Sequence, residues 1–152
     1  MKARVFLAAV VLGISGAVLS DTGRIPFWTY NGRLSWGLIE PAEVVIREPS
    51  ELRMLWSRIF REETAPALPS IDFRREMVVV VGMGQRSHGG FQVRVERIED
   101  LGDRLRVIYT ATSPGASCMT TQSLTSPVTL VRMPRSVKPV TFRAQDETLR
   151  CS

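Results

Sequence analysis

The chain has 152 residues, 44% of them hydrophobic and 23% charged, enough for one ordinary domain with its own core. It carries 20 basic residues against 15 acidic ones, a formal net charge of +5, with the two signs interspersed as in Arg94, Glu96, Arg97, Glu99 and Asp100. This pattern argues against a nucleic-acid-binding face, which needs clustered basic residues, and one histidine with two cysteines is too small a ligand set for a metal centre.

The first element is an export signal. Met1-Lys2-Ala3-Arg4 is a short positive start, and Val5 to Leu19 is an uncharged, mostly apolar run of 15 residues. Small residues cluster at its end, Ser15, Gly16, Ala17 and Ser20, with cleavage expected after Ala17 or after Ser20. The run is shorter than the roughly 17–25 residues of a membrane-spanning helix, so removal is expected rather than anchoring. The first cysteine after it is Cys118, so there is no site for lipid attachment at a processed N-terminal cysteine. Losing residues 1–20 takes away Lys2 and Arg4 and leaves 18 basic residues against 15 acidic, a net +3. The mature domain is expected over 21–152, secreted or periplasmic, with no stable insertion in the membrane. In an oxidising compartment Cys118 and Cys151 are expected to form a disulfide. It would close a loop of about 34 residues, worth on the order of 3–4 kcal/mol in the chain-entropy account.

The segment from Asp21 to Pro41 is rich in aromatic and turn residues. Asn31-Gly32 is a hairpin-turn signal, and Phe27, Trp28, Tyr30 and Trp36 are read as a lid over a small core. Glu43 to Ile46 reads as a short strand. Leu52, Leu55, Trp56, Ile59 and Phe60 form one apolar stripe, so the spacing predicts an amphipathic helix over Glu51 to Arg61 with Ser50 as its N-cap. Pro66 and Pro69 mark a loop. Met77 to Val81 is a continuous apolar run, a strand buried on both faces. Phe91, Val93 and Val95 alternate with polar residues, as do Leu105, Val107 and Tyr109, which predicts two half-buried strands. Ser113 to Thr125 reads as a long loop, Pro127 to Met133 as a strand, and Val140 to Phe142 as a last short strand. Strands that mostly meet through short turns, plus one helix, predict an α+β, mainly β fold: an antiparallel sheet or partly open barrel with one packed amphipathic helix.

The candidate site is the polar, glycine-rich stretch Arg86-Ser87-His88-Gly89-Gly90-Phe91 between two strands, read as a hairpin tip that displays binding residues. Arginine and aromatic side chains dominate binding hot spots, which singles out Arg86 and Phe91. A hydrolase reading with Ser87 as nucleophile and His88 as base is disfavoured. Adjacent residues in extended backbone face opposite sides, and no orienting acid is evident. Gly82-Met83-Gly84 is not a dinucleotide fingerprint, because a strand and not a helix follows it. No cofactor and no catalytic residue are expected.

Several segments together resemble the C-terminal domain of the protease complex subunit PrcB family. They are Ile71-Asp72-Phe73, the run Met77 to Gly82, the turn His88-Gly89-Gly90-Phe91 with Gln92-Val93, Pro114-Gly115, and Leu124-Thr125-Ser126-Pro127 leading into Val128 to Val131. The resemblance spans roughly residues 43–140. The chain departs from the family pattern at His88, where a Thr or Ser is usual, and at Phe91 and Val128, where Tyr is usual. The resemblance implies an exported, non-enzymatic accessory subunit that stabilises an envelope protein complex, with another envelope protein such as a protease as partner. An alternative is a protease inhibitor presenting the 86–91 tip, since chagasin-type inhibitors also present a glycine–aromatic loop on a β scaffold.

Overall fold

The computed structural model describes residues 23–30, 37–60 and 65–151. The expected export signal, Trp36 and the expected Asn31-Gly32 turn lie outside the described residues. The elements are β1 (Gly23–Ile25), β2 (Trp28–Thr29), β3 (Pro41–Ile46), α1 (Pro49–Ile59), β4 (Glu76–Met83), β5 (Gln92–Asp100), β6 (Leu105–Pro114), β7 (Val128–Pro134) and β8 (Val140–Leu149).

The apolar run of β4 organises the molecule because its two faces serve two cores. Val78 and Val80 point to one side, where they join Leu52, Leu55, Trp56, Ile59 and Phe60 of the helical segment with Val128 and Leu130. Met77, Val79 and Val81 point to the other, against Val95, Ile98, Leu105, Val107, Val131 and Met133. All five residues from Met77 to Val81 are at most 1% exposed. Fully burying a side chain of this kind is worth ~1.5–3 kcal/mol relative to leaving it in water, so a strand with no polar face is stable only at the middle of three layers.

The layers are α1, a sheet of order β2-β7-β4-β3, and a second sheet of order β1-β5-β6-β8. The fold is thus α+β and mainly β, with the amphipathic helix packed on a sheet. The strands form two open sheets face to face and do not close into a barrel. Every pairing is antiparallel except β6 with β8, which is parallel.

Three local details depart from the sequence-based expectation. First, α1 starts at Pro49, with Glu48 in extended conformation as its N-cap, not Ser50. Proline suits the first helical position because its missing N–H has no helical partner there. The Glu51 carboxylate accepts from the backbone N–H of Glu48 at 3.2 Å and of Arg47 at 3.0 Å. Second, a bulge between Val95 and Arg97 shifts the alternation of β5, so that Val95 and then Ile98 are buried. Third, β6 runs on to Pro114 and β8 on to Leu149, well beyond Phe142. From Arg143 to Leu149 every residue of β8 is exposed, so no alternating pattern marks it as strand.

Polar contacts tie the layers together. Tyr109 Oη donates to Glu43 Oε1 at 2.7 Å between the two sheets. Burial, and then this bond to a carboxylate, push the Tyr109 hydroxyl above the ordinary tyrosine range. Lys138 Nζ lies 2.7 Å from both carboxylate oxygens of Asp100. Among the described residues, no helix is long and apolar enough to cross a membrane.

Candidate functional site at the loop end

The segment 84–91 connects β4 to β5, and these strands belong to different sheets. It is therefore a crossover from one sheet to the other, and the expected hairpin tip is corrected on this point. The reason is that β4 is a central strand, already paired on both edges by β3 and β7, so β5 must find its partners elsewhere.

The crossover is held along its length. Gln85 N–H donates to Ile39 O at 2.9 Å. Arg86 and Thr125 exchange backbone hydrogen bonds of 2.7 and 3.0 Å. Thr125 Oγ1 donates to His88 O at 2.9 Å, and Gly89 N–H donates to Thr121 O at 2.9 Å. The two glycines have separate reasons. At Gly89 a Cβ would overlap Thr121 Oγ1. Gly90 has φ +91°, and a Cβ there would lie 3.0 Å from the Pro114 ring. Ser126 Oγ donates to Leu38 O, which draws a third loop into the same end.

On this base sit the side chains that the sequence singles out. The Arg86 guanidinium lies 5.4 Å from the Phe91 ring centre, and the His88 ring lies 5.0 Å from it, tilted by 40°. Phe91 thus contacts both, and the cation–π contact is worth ~0.5–1 kcal/mol in a partly exposed setting. Arg86 Nε is buried without a hydrogen-bond partner among the described residues, and stacking on Phe91 and the backbone bridge orient this side chain. Ser87 is exposed. His88 Nδ1 is 2.9 Å from Gly89 O, which makes Nδ1 the donor nitrogen in the neutral ring. Among the described residues, no hydrogen bond joins Ser87 to His88 and none joins His88 to a carboxylate. That arrangement does not assemble a nucleophile, a base and an orienting acid. Nor does any group of three or more His, Cys, Asp or Glu among the described residues form a metal cluster.

Sequence reasoning missed the neighbours of the stretch. Thr121 and Thr125 belong to the polar segment 115–127, which has no periodicity to place it. Its surface also carries Met119, fully exposed, and Leu124, 59% exposed, with Ile39 at 69% on the adjoining loop. The segment is itself pinned. Gly115 N–H donates to Leu149 O at 2.9 Å, Ser117 Oγ donates to Cys151 O at 2.7 Å, and Cys118 is joined to Cys151.

The segments His88 to Phe91, Pro114-Gly115 and Thr125-Ser126 are scattered in sequence yet meet here, each explaining the geometry of another. Residues 77–134 match the family model described as PrcB C-terminal. Over this segment the chain is similar to the PrcB C-terminal family. The match runs from the first buried residue of β4 to the last residue of β7, so it takes in the crossover and the loop that pins it. It is narrower than the span of the sequence resemblance: α1 and β3 fall outside it. Asp72-Phe73, just before the PrcB segment, lies at the opposite end of β4. There Asp72 O accepts from Arg75 and Glu76 N–H to turn the chain into the strand, and Phe73 packs on the helical core. No match was found among curated proteins or among solved structures.

Proposed function

We propose that this protein is an exported, non-enzymatic accessory subunit whose loop end docks on another envelope protein. The similarity of residues 77–134 to the PrcB C-terminal family supports association with a protease complex, which makes a protease the leading partner. The observation that carries the docking reading is the convergence of Arg86, His88 and Phe91 with exposed Ile39, Met119 and Leu124 on three mutually hydrogen-bonded loops. Apolar side chains held outward on a rigid frame cost little entropy to bind, and arginine beside an aromatic ring is a common hot-spot pairing. Export rests on the residue order of 1–20, and the Cys118–Cys151 bond suits an oxidising compartment.

The test is crosslinking and capture from the native envelope with wild type, Arg86→Ala, and a Met119→Asp, Leu124→Asp pair. The last two residues are exposed, so their replacement leaves the core intact. Recovery of one partner complex containing a protease, reduced about tenfold by either variant, is expected for a hot-spot surface. Equal recovery with all three proteins would remove the loop end as the docking surface.

A further inference from the structure

The edge of the second sheet points to self-association. Among the described residues, β8 is paired on one side only, with β6, over ten residues from Val140 to Leu149. Leu105 N–H donates to Pro139 O at 2.8 Å and Gly115 N–H to Leu149 O at 2.9 Å, at the two ends of an unbroken register. The odd-numbered residues of β8 therefore turn their backbone groups toward β6. The even-numbered Phe142, Ala144, Asp146 and Thr148 turn theirs outward, without a partner among the described residues. A long exposed edge of this kind is a template for another strand.

Charge selects the strand. In an antiparallel two-fold pairing only even residues can exchange hydrogen bonds, so the symmetry point must fall on a whole residue. Centring on Arg143, Asp146 or Glu147 sets a like charge against itself. Centring on Ala144 faces Arg143 with Gln145. Centring on Gln145 faces Arg143 of each copy with Glu147 of the other, twice by symmetry, in the closely spaced non-hydrogen-bonded positions. Both side chains are exposed, and neither forms an ion pair within the described residues, whereas Arg94, Arg97 and Arg106 of the same sheet all do. Thr112 Oγ1 donates to Glu147 Oε2 at 3.3 Å, which steadies the acid.

We propose that two copies of this protein pair through β8, antiparallel and centred on Gln145, to form one continuous eight-stranded sheet. The two-fold axis turns the loop ends away from each other, so the dimer presents two docking surfaces at opposite poles. Edge pairing of two such strands is a small interface, and dissociation in the micromolar range is expected.

The test is sedimentation of the mature protein over ~1–200 µM, a range bracketing that affinity. The variants are Arg143→Glu, Glu147→Arg, and the double exchange, with air oxidation of Gln145→Cys read on a non-reducing gel. Wild type is expected to dimerise. Each single variant, replacing two attractive pairs by two repulsive ones, is expected to weaken the dimer about tenfold or more, and the double exchange to restore it. Gln145→Cys is expected to give a covalent dimer and a Thr141→Cys control none. A monomer throughout the range, or a dimer indifferent to Arg143→Glu, would overturn the proposal. Capture of a protease by a strictly monomeric protein would overturn it while leaving the loop-end reading intact.

Discussion

At the scale of single residues, glycines with the same backbone angle carry different burdens. Gly90 has φ +91° beside Pro114, and Gly102 has φ +92° with nothing within 4 Å of a Cβ. Gly102→Ala therefore meets only the left-handed backbone penalty, about 1 kcal/mol. Gly90→Ala adds a steric conflict at the crossover and is expected to cost about 2–3 kcal/mol. Urea unfolding of the two variants checks this, and equal losses would show that the Pro114 contact carries no weight. Asp100 offers a pH test. The Lys138 ammonium, and next the Gly102 N–H, hold its carboxyl below the ordinary value of 3.8. A depressed folded value stabilises the protein above the unfolded value, and that contribution is lost as pH falls through the folded one. Asp100→Asn is thus expected to be less stable than wild type at neutral pH. The gap is expected to narrow below about pH 4 in unfolding measured across the acid range.

At the scale of elements, legibility follows burial. Met77 to Val81 reads correctly because a strand covered on both faces has to be apolar throughout, and the stripe from Leu52 to Phe60 reads correctly because one face of α1 meets a sheet. The far half of β8 is illegible for the converse reason: with both faces in water, no residue is constrained to be apolar. Its order depends on β6 and on the Cys118–Cys151 bond just past its end, across a sequence separation of 33. Reduction is expected to cost about 3–4 kcal/mol in the loop-closure account. Hydrogen exchange should show the loss first at 145–150 and at the 115–124 loop, with the two cores protected until global unfolding. Uniform loss of protection would mean that the bond supports the whole fold rather than this edge.

At the scale of the whole molecule, the residue types of the candidate site and the apolar faces of the core were set by the sequence alone, because burial and turn chemistry act on near neighbours. Arg86 to Phe91 could be singled out that way, and so could the pairing of two cysteines in a chain expected from its first 20 residues to be exported. What only the tertiary structure decided is how these parts meet. Because β4 is paired on both edges, the crossover from it must bridge two sheets rather than turn back as a hairpin. It is then pinned by Thr121 and Thr125, more than 30 residues away, and placed among Ile39, Met119 and Leu124. Contacts between segments so far apart leave no periodic mark on either one, so their shared surface exists only once both sheets have packed.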